Sequence, residues 1–175
     1  MFEGWSEYFF MIGSSAAALI GLMFIVITLT AGRDRGELER GKKLYSSPIV
    51  WHLSVILVLS GAAIAPAIPA KLFAVACGGL AILGIIMGIR CAVGIGRWAS
   101  GSNASFDAFW YGIAPALVYA GLGGAALAVL CRPSWAAPAI AAGLMALLLV
   151  SIHAEWDLVT FLAPIVGQDA QNKDP

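Results

Sequence analysis

Apolar and polar positions fall in long blocks rather than short periods. Five apolar stretches, at about 8–30, 48–64, 72–92, 109–130 and 138–157, are divided by short segments rich in charge, proline or glycine. A helix crossing the hydrocarbon core needs about 20 such residues, so the blocks predict an all-α bundle of five transmembrane helices in one domain, residues 1–175. Ser47-Pro48 suits a helix opening, with serine as cap and proline at the first helical position. Residues 33–46 hold five basic and three acidic residues, and Gly36 and Gly41 there predict a short, partly ordered connection. Glu39 and Lys43 are spaced for a weak helical ion pair. Arg97 to Asn103 reads as a loop and the Cys131-Arg-Pro-Ser-Trp135 segment as a turn. After Asp157 a second apolar run to about 165 predicts an extension lying along the membrane interface.

Within the blocks, small residues recur every fourth position. Gly13, Ala17 and Gly21 form one such strip, Gly84 and Gly88 a second that Ala92 and Gly96 prolong, and Ala120, Gly124 and Ala128 a third. Small residues at this spacing let another backbone approach closely, in the same chain or in a partner. Trp5, Tyr8, Phe9 and Phe10 form an aromatic group suited to the headgroup region.

Composition agrees with a lipid-solvated chain. Hydrophobic residues make up 61% and charged ones 11% of 175 residues, against about 25% charged in a soluble domain. Ten basic and ten acidic residues cancel, but their placement is uneven. Eight basic residues (five in 33–46, then Arg90, Arg97 and Lys173) fall on one side of the predicted bundle, and only Lys71 and Arg132 on the other. The positive-inside rule then puts the N-terminus outside and the C-terminus in the cytoplasm. The first apolar run is longer than a signal core and lacks a basic leader, so it reads as a retained span. Cys77, Cys91 and Cys131 form no CxxC pair, and no disulfide framework or redox dithiol is indicated.

The candidate chemistry sits at His153-Ala-Glu-Trp-Asp157. It follows seventeen residues, 136–152, of which only Ser151 is polar. Charge beside that much hydrocarbon marks either a functional site or the level where a helix leaves the bilayer. His153 and Asp157 share one helical face, where the carboxylate can orient the imidazole. Glu155 points the other way, toward a pairing with Arg90 or Arg97. His52 and Arg90 are placed at a similar depth, so His52, Arg90, His153, Glu155 and Asp157 form a candidate polar cluster. Such a ring suits a gate, a proton relay or a pH sensor. Two histidines on different helices also allow a haem reading, but no cofactor is expected on balance. No GxSxG, HExxH, P-loop or Rossmann pattern occurs, and no nucleic-acid surface.

Glu7-Tyr8-Phe9-Phe10, followed by Gly13-Ser-Ser-Ala-Ala-Ala-Leu-Ile-Gly-Leu-Met-Phe24, and Ala154-Glu-Trp-Asp-Leu158 resemble segments of a large uncharacterised group of bacterial membrane proteins. Some members of that group are labelled modulators of a membrane protease. The resemblance implies a small, multi-pass inner-membrane protein without established activity. The function expected is that of a non-enzymatic accessory or self-associating membrane component, in contact with lipids and with other copies or other membrane proteins. The alternative is a homo-oligomeric ion or proton channel with a mouth at the polar cluster.

Overall fold

A computed structural model describes residues 2–29, 36–66, 68–98, 104–131 and 134–171; at 29, 36–47, 98, 104 and 161–171 it describes only the backbone. The described residues are helical, with no strand among them. In order they are α1 (Ser6–Leu29), α2 (Gly36–Ile64), α3 (Ala70–Trp98), α4 (Ala104–Ala108), a π-helical turn (Phe109–Ile113), α5 (Ala114–Cys131) and α6 (Ala136–Gln171). Four stretches, Ser6–Thr28, Ala70–Arg97, Ser105–Cys131 and Ala136–Thr160, are long and apolar enough to cross a membrane. Pro48–Ile64 is apolar but shorter.

Around the bundle, α1 packs on α2, α2 on α3, α3 on α5, α5 on α6 and α6 on α1, with α2 also reaching α6. The α3–α5 pair is the most extensive. A Cβ built on Gly88 would lie 2.6 Å from the Gly112 carbonyl oxygen, and one built on Gly112 would lie 2.5 Å from Ala92 Cβ. Backbones meet there because neither helix carries a side chain at the crossing. The Gly84–Gly88–Ala92 strip is therefore filled by a neighbour in the same chain.

The other two strips are not. Gly13 meets Ser60 of α2, with a built Cβ 3.1 Å from Ser60 Cβ, but Gly21 and Gly124 have nothing within 4 Å of theirs. Ala17, Gly21, Ala120 and Gly124 all face outward. The buried stripe of α1 is Phe9, Ile12, Ala16 and Met23. Larger side chains fill the wider gap to α2 and α6, and they rotate Ala17 and Gly21 away from it.

In three other places the structure departs from these expectations or adds to them. The helix of α2 opens at Gly36, not at Ser47-Pro48, and Pro48 lies inside it. Pro48 lacks one backbone donor, which removes one rung, and residues 36–47 continue as helix on its N-terminal side. Their side chains, including the Glu39–Lys43 pair, lie outside the described residues, as do residues 33–35, the loop 99–103, residues 132–133 and Lys173. At the other end α6 shows no break after Asp157 and runs for 36 residues. The aromatic group near the N-terminus is partly core: Phe9 is fully buried, Phe2 stacks edge-on against Phe9 and Phe73, and Tyr8 Oη donates to the Ala141 carbonyl at 3.2 Å.

The π turn also was not foreseen. Its closing bond runs from the Ala114 N–H to the Phe109 carbonyl, one residue wider than an α-turn. Pro115 follows directly and supplies no N–H of its own, which favours a locally widened ladder. That widening sets the directions of Trp110 and Tyr111.

Candidate functional site

Two polar centres lie within the apolar bundle. The first is at the end of the bundle where α6 carries the His153–Asp157 segment. His153 Nε2 lies 3.5 Å from Asp157 Oδ2, with the side chains 38% and 41% exposed. The π turn provides the other half of this centre. Trp110 lays its ring against the His153 imidazole, centroids 4.6 Å apart, and Tyr111 Oη donates to Asp157 Oδ2 at 3.1 Å. The imidazole has a tilted indole ring on one side and, near Nε2 but not hydrogen-bonded to it, a carboxylate that accepts from a phenol. Asp107, half-buried on α4, adds a second carboxylate close enough to Asp157 to repel it.

Glu155 belongs to the opposite face of α6 and is 3% exposed. Neither of its carboxylate oxygens has a hydrogen-bond partner. The expected pairing with Arg90 or Arg97 does not form. Both arginines are exposed on α3, which packs mainly on α5 and α2 and not on the face of α6 that carries Glu155. A buried polar group without a partner costs about 1–3 kcal/mol, more if charged, and Glu155 carries that cost on both of its oxygens.

The second centre is His52. It is buried, and its Nδ1 lies 2.9 Å from Tyr119 Oη. The Tyr119 ring rests on Gly84, whose built Cβ would fall 2.4 Å from ring carbons. Gly84 therefore makes room for the ring, and the ring brings its hydroxyl to His52. Trp51, the residue before it, turns its buried indole N–H toward the same Tyr119 hydroxyl, just short of good hydrogen-bond geometry.

These centres are not one ring. Leu122 of α5 packs on Gly143 of α6, and Trp110 packs on His153, which fixes the antiparallel register of the two helices. Tyr119 is then level with about residue 146 of α6, and the His52 bond lies about 10 Å from the His153 level at about 1.5 Å per residue. The expectation of similar depth fails because the 17-residue apolar part of α2 places His52 one turn inside it, deep in the bundle. The two imidazoles have separate neighbours, Tyr119 for His52 and Trp110 for His153. Among the described residues, no group of three His, Cys, Asp or Glu side chains is placed to hold a metal ion.

Of the predicted cluster, His153 and Asp157 are together, Glu155 is near them in sequence but faces the core, His52 is a separate centre, and Arg90 is outside. Tyr111, Trp110 and Tyr119 were not singled out from the sequence. Tyr119 carried one available signal, a phenol in the middle of an otherwise apolar helix. Comparisons with protein families, curated proteins and solved structures find no match to this chain.

Proposed function

We propose that this protein is a non-enzymatic component of a bacterial inner membrane that acts by associating with copies of itself or with other membrane proteins. The observation that carries this reading is the pair of small-residue strips with nothing against them, Ala17–Gly21 on α1 and Ala120–Gly124 on α5. In lipid there is no hydrophobic drive between helices, and close backbone approach at small residues is a main source of association. The resemblance of the first apolar run and of residues 154–158 to bacterial inner-membrane proteins supports the location. In this reading Pro48–Ile64 is a fifth span: its length of about 25 Å nearly matches the hydrocarbon core, and it is enclosed by neighbouring helices. The eight-to-two distribution of basic residues supports an outer N-terminus and a cytoplasmic C-terminus.

Cross-linking tests it. Gly21→Cys and Gly124→Cys, each in a background without the native cysteines, are oxidised in native membranes. Covalent dimers through either position are expected; monomers throughout, together with a monomeric mass for the protein extracted with its lipid, would end the self-association reading. Recovery with a different membrane protein at fixed stoichiometry supports the accessory form.

Glu155 favours a second reading, a proton-linked conduit. A carboxyl kept in an apolar core without a partner is a common device for carrying a proton across a membrane. Proton flux in liposomes that is lost in Glu155→Gln supports it, and equal flux in the variant removes it.

A further inference from the structure

The same crossing that joins α3 to α5 leaves a furrow on the outer side of the bundle. Glycine and alanine at 88, 92, 112 and 116 bring the backbones together, while Ile89 and Val93 on one wall and Ile113 and Leu117 on the other stand out from them. The furrow has a volume of about 390 Å³, and all its lining side chains are apolar. From Ile85 to Val93 it runs about 12 Å along α3 at about 1.5 Å per residue. Ala120 closes one end.

Two guanidinium groups flank the α3 wall, one along its length and one past its end. Arg97 follows Val93 by one turn, and Arg90 adjoins Ile89; both are exposed. Helix α3 carries no acidic residue, and neither arginine has an ion-pair partner among the described residues. Asp107 of α4 lies near the level of Arg97 without pairing to it. An unpaired guanidinium at the edge of hydrocarbon is costly unless it reaches the headgroup level. Arginine does so by extending its stem along the helix, and a phosphate is the partner its planar fork fits best.

We propose that the α3–α5 furrow is a binding site for an anionic phospholipid, one acyl chain lying in the furrow and the headgroup phosphate held by Arg97 with Arg90. Charge selects the lipid: two cations with no paired acid favour a headgroup with net negative charge over a zwitterionic one. The proposal rests on the chain lying in a bilayer; it shares Ala120 with the α5 strip of the self-association reading, and the arginine variants, which leave that strip intact, tell the two apart.

The test uses the full chain extracted from bilayers of phosphatidylglycerol, phosphatidylethanolamine and phosphatidylcholine, with retained lipid counted by native mass spectrometry. One phosphatidylglycerol per chain is expected to outlast the others. Retention falls about fivefold for each arginine removed in Arg90→Gln and Arg97→Gln, and is largely kept in the lysine variants. Ala120→Phe fills the furrow from an exposed position without touching the α3–α5 crossing, and is expected to release the lipid with both arginines present. An unchanged unfolding midpoint in each variant shows that the fold is intact. Equal retention of all three lipids, or retention unaffected by the arginine variants, overturns the proposal. So does lipid that survives Ala120→Phe, or a furrow occupied by a second copy whose dimer alone is lost in that variant.

Discussion

Gly84→Ala is expected to be among the most damaging single-methyl additions this protein can suffer. The new Cβ would lie 2.4 Å from Cδ2 and Cε2 and 2.5 Å from Cγ of Tyr119. Tyr119 is fully buried, so its rigid ring has no free space to move into. Overpacking of this kind costs about 1–3 kcal/mol. If the ring tilts to escape, the 2.9 Å contact between its hydroxyl and His52 Nδ1 is broken. Two buried polar groups then lack partners, at about 1–3 kcal/mol more. The sum is a loss of about 2–6 kcal/mol. Gly124→Ala is the control: nothing lies within 4 Å of its Cβ, and alanine is the better helix former by about 1 kcal/mol. Reversible unfolding in mixed micelles of mild detergent and dodecyl sulfate, followed by tryptophan fluorescence, measures both. A double-mutant cycle isolates the cause, since in a Tyr119→Ala background the cost of Gly84→Ala should largely vanish, a coupling of about 2 kcal/mol. Equal stability of Gly84→Ala and Gly124→Ala, or a cost unchanged without the tyrosine ring, refutes the reasoning.

Gly112→Ala meets backbone atoms, Ala92 N at 2.7 Å and Gly88 O at 2.8 Å, so it is expected to cost about 3 kcal/mol or more in the same unfolding assay. Glu155→Leu is expected to raise stability by about 1–3 kcal/mol, because it removes a buried carboxyl with no partner and keeps the volume; a lowered midpoint would reveal a partner for that carboxylate. Tyr111→Phe loses the 3.1 Å bond to Asp157 and about 1 kcal/mol, and Asp157→Asn added to it should cost little more.

The helices were legible because apolar run length alone implies them in a lipid-solvated chain. Their ends were less so. Pro48 is a good opening residue in isolation, yet the helix continues from Gly36, and no local rule weighs twelve preceding residues against one lost hydrogen bond. Small-residue spacing pointed equally to three strips, but only Gly84–Gly88 meets a helix of the same chain along its length. Spacing describes a surface, and the neighbour's side chains decide whether it is used. The His153–Asp157 contact follows from helical period, being four residues apart. The His52–Tyr119 bond joins residues 67 apart, and Tyr111–Asp157 residues 46 apart; both need the packing of α5 against its neighbours, and the second needs the π turn as well. The same period places Glu155 away from His153, but its lack of a partner depends on which helices α3 packs against.

The proposed topology threads a bilayer with the Cys131 end outside and the Asp157 end inside. Cys131 is exposed at the end of α5, while Cys77 and Cys91 are buried, so the native chain carries its own reporter. Ser105 is exposed at the opposite end of the same span. With a membrane-impermeant maleimide on intact spheroplasts, Cys131 should be labelled at once. In a Cys131→Ser background, Ser105→Cys should be labelled only after the membrane is opened. Labelling of both positions from outside, or of Ser105→Cys alone, would contradict the account.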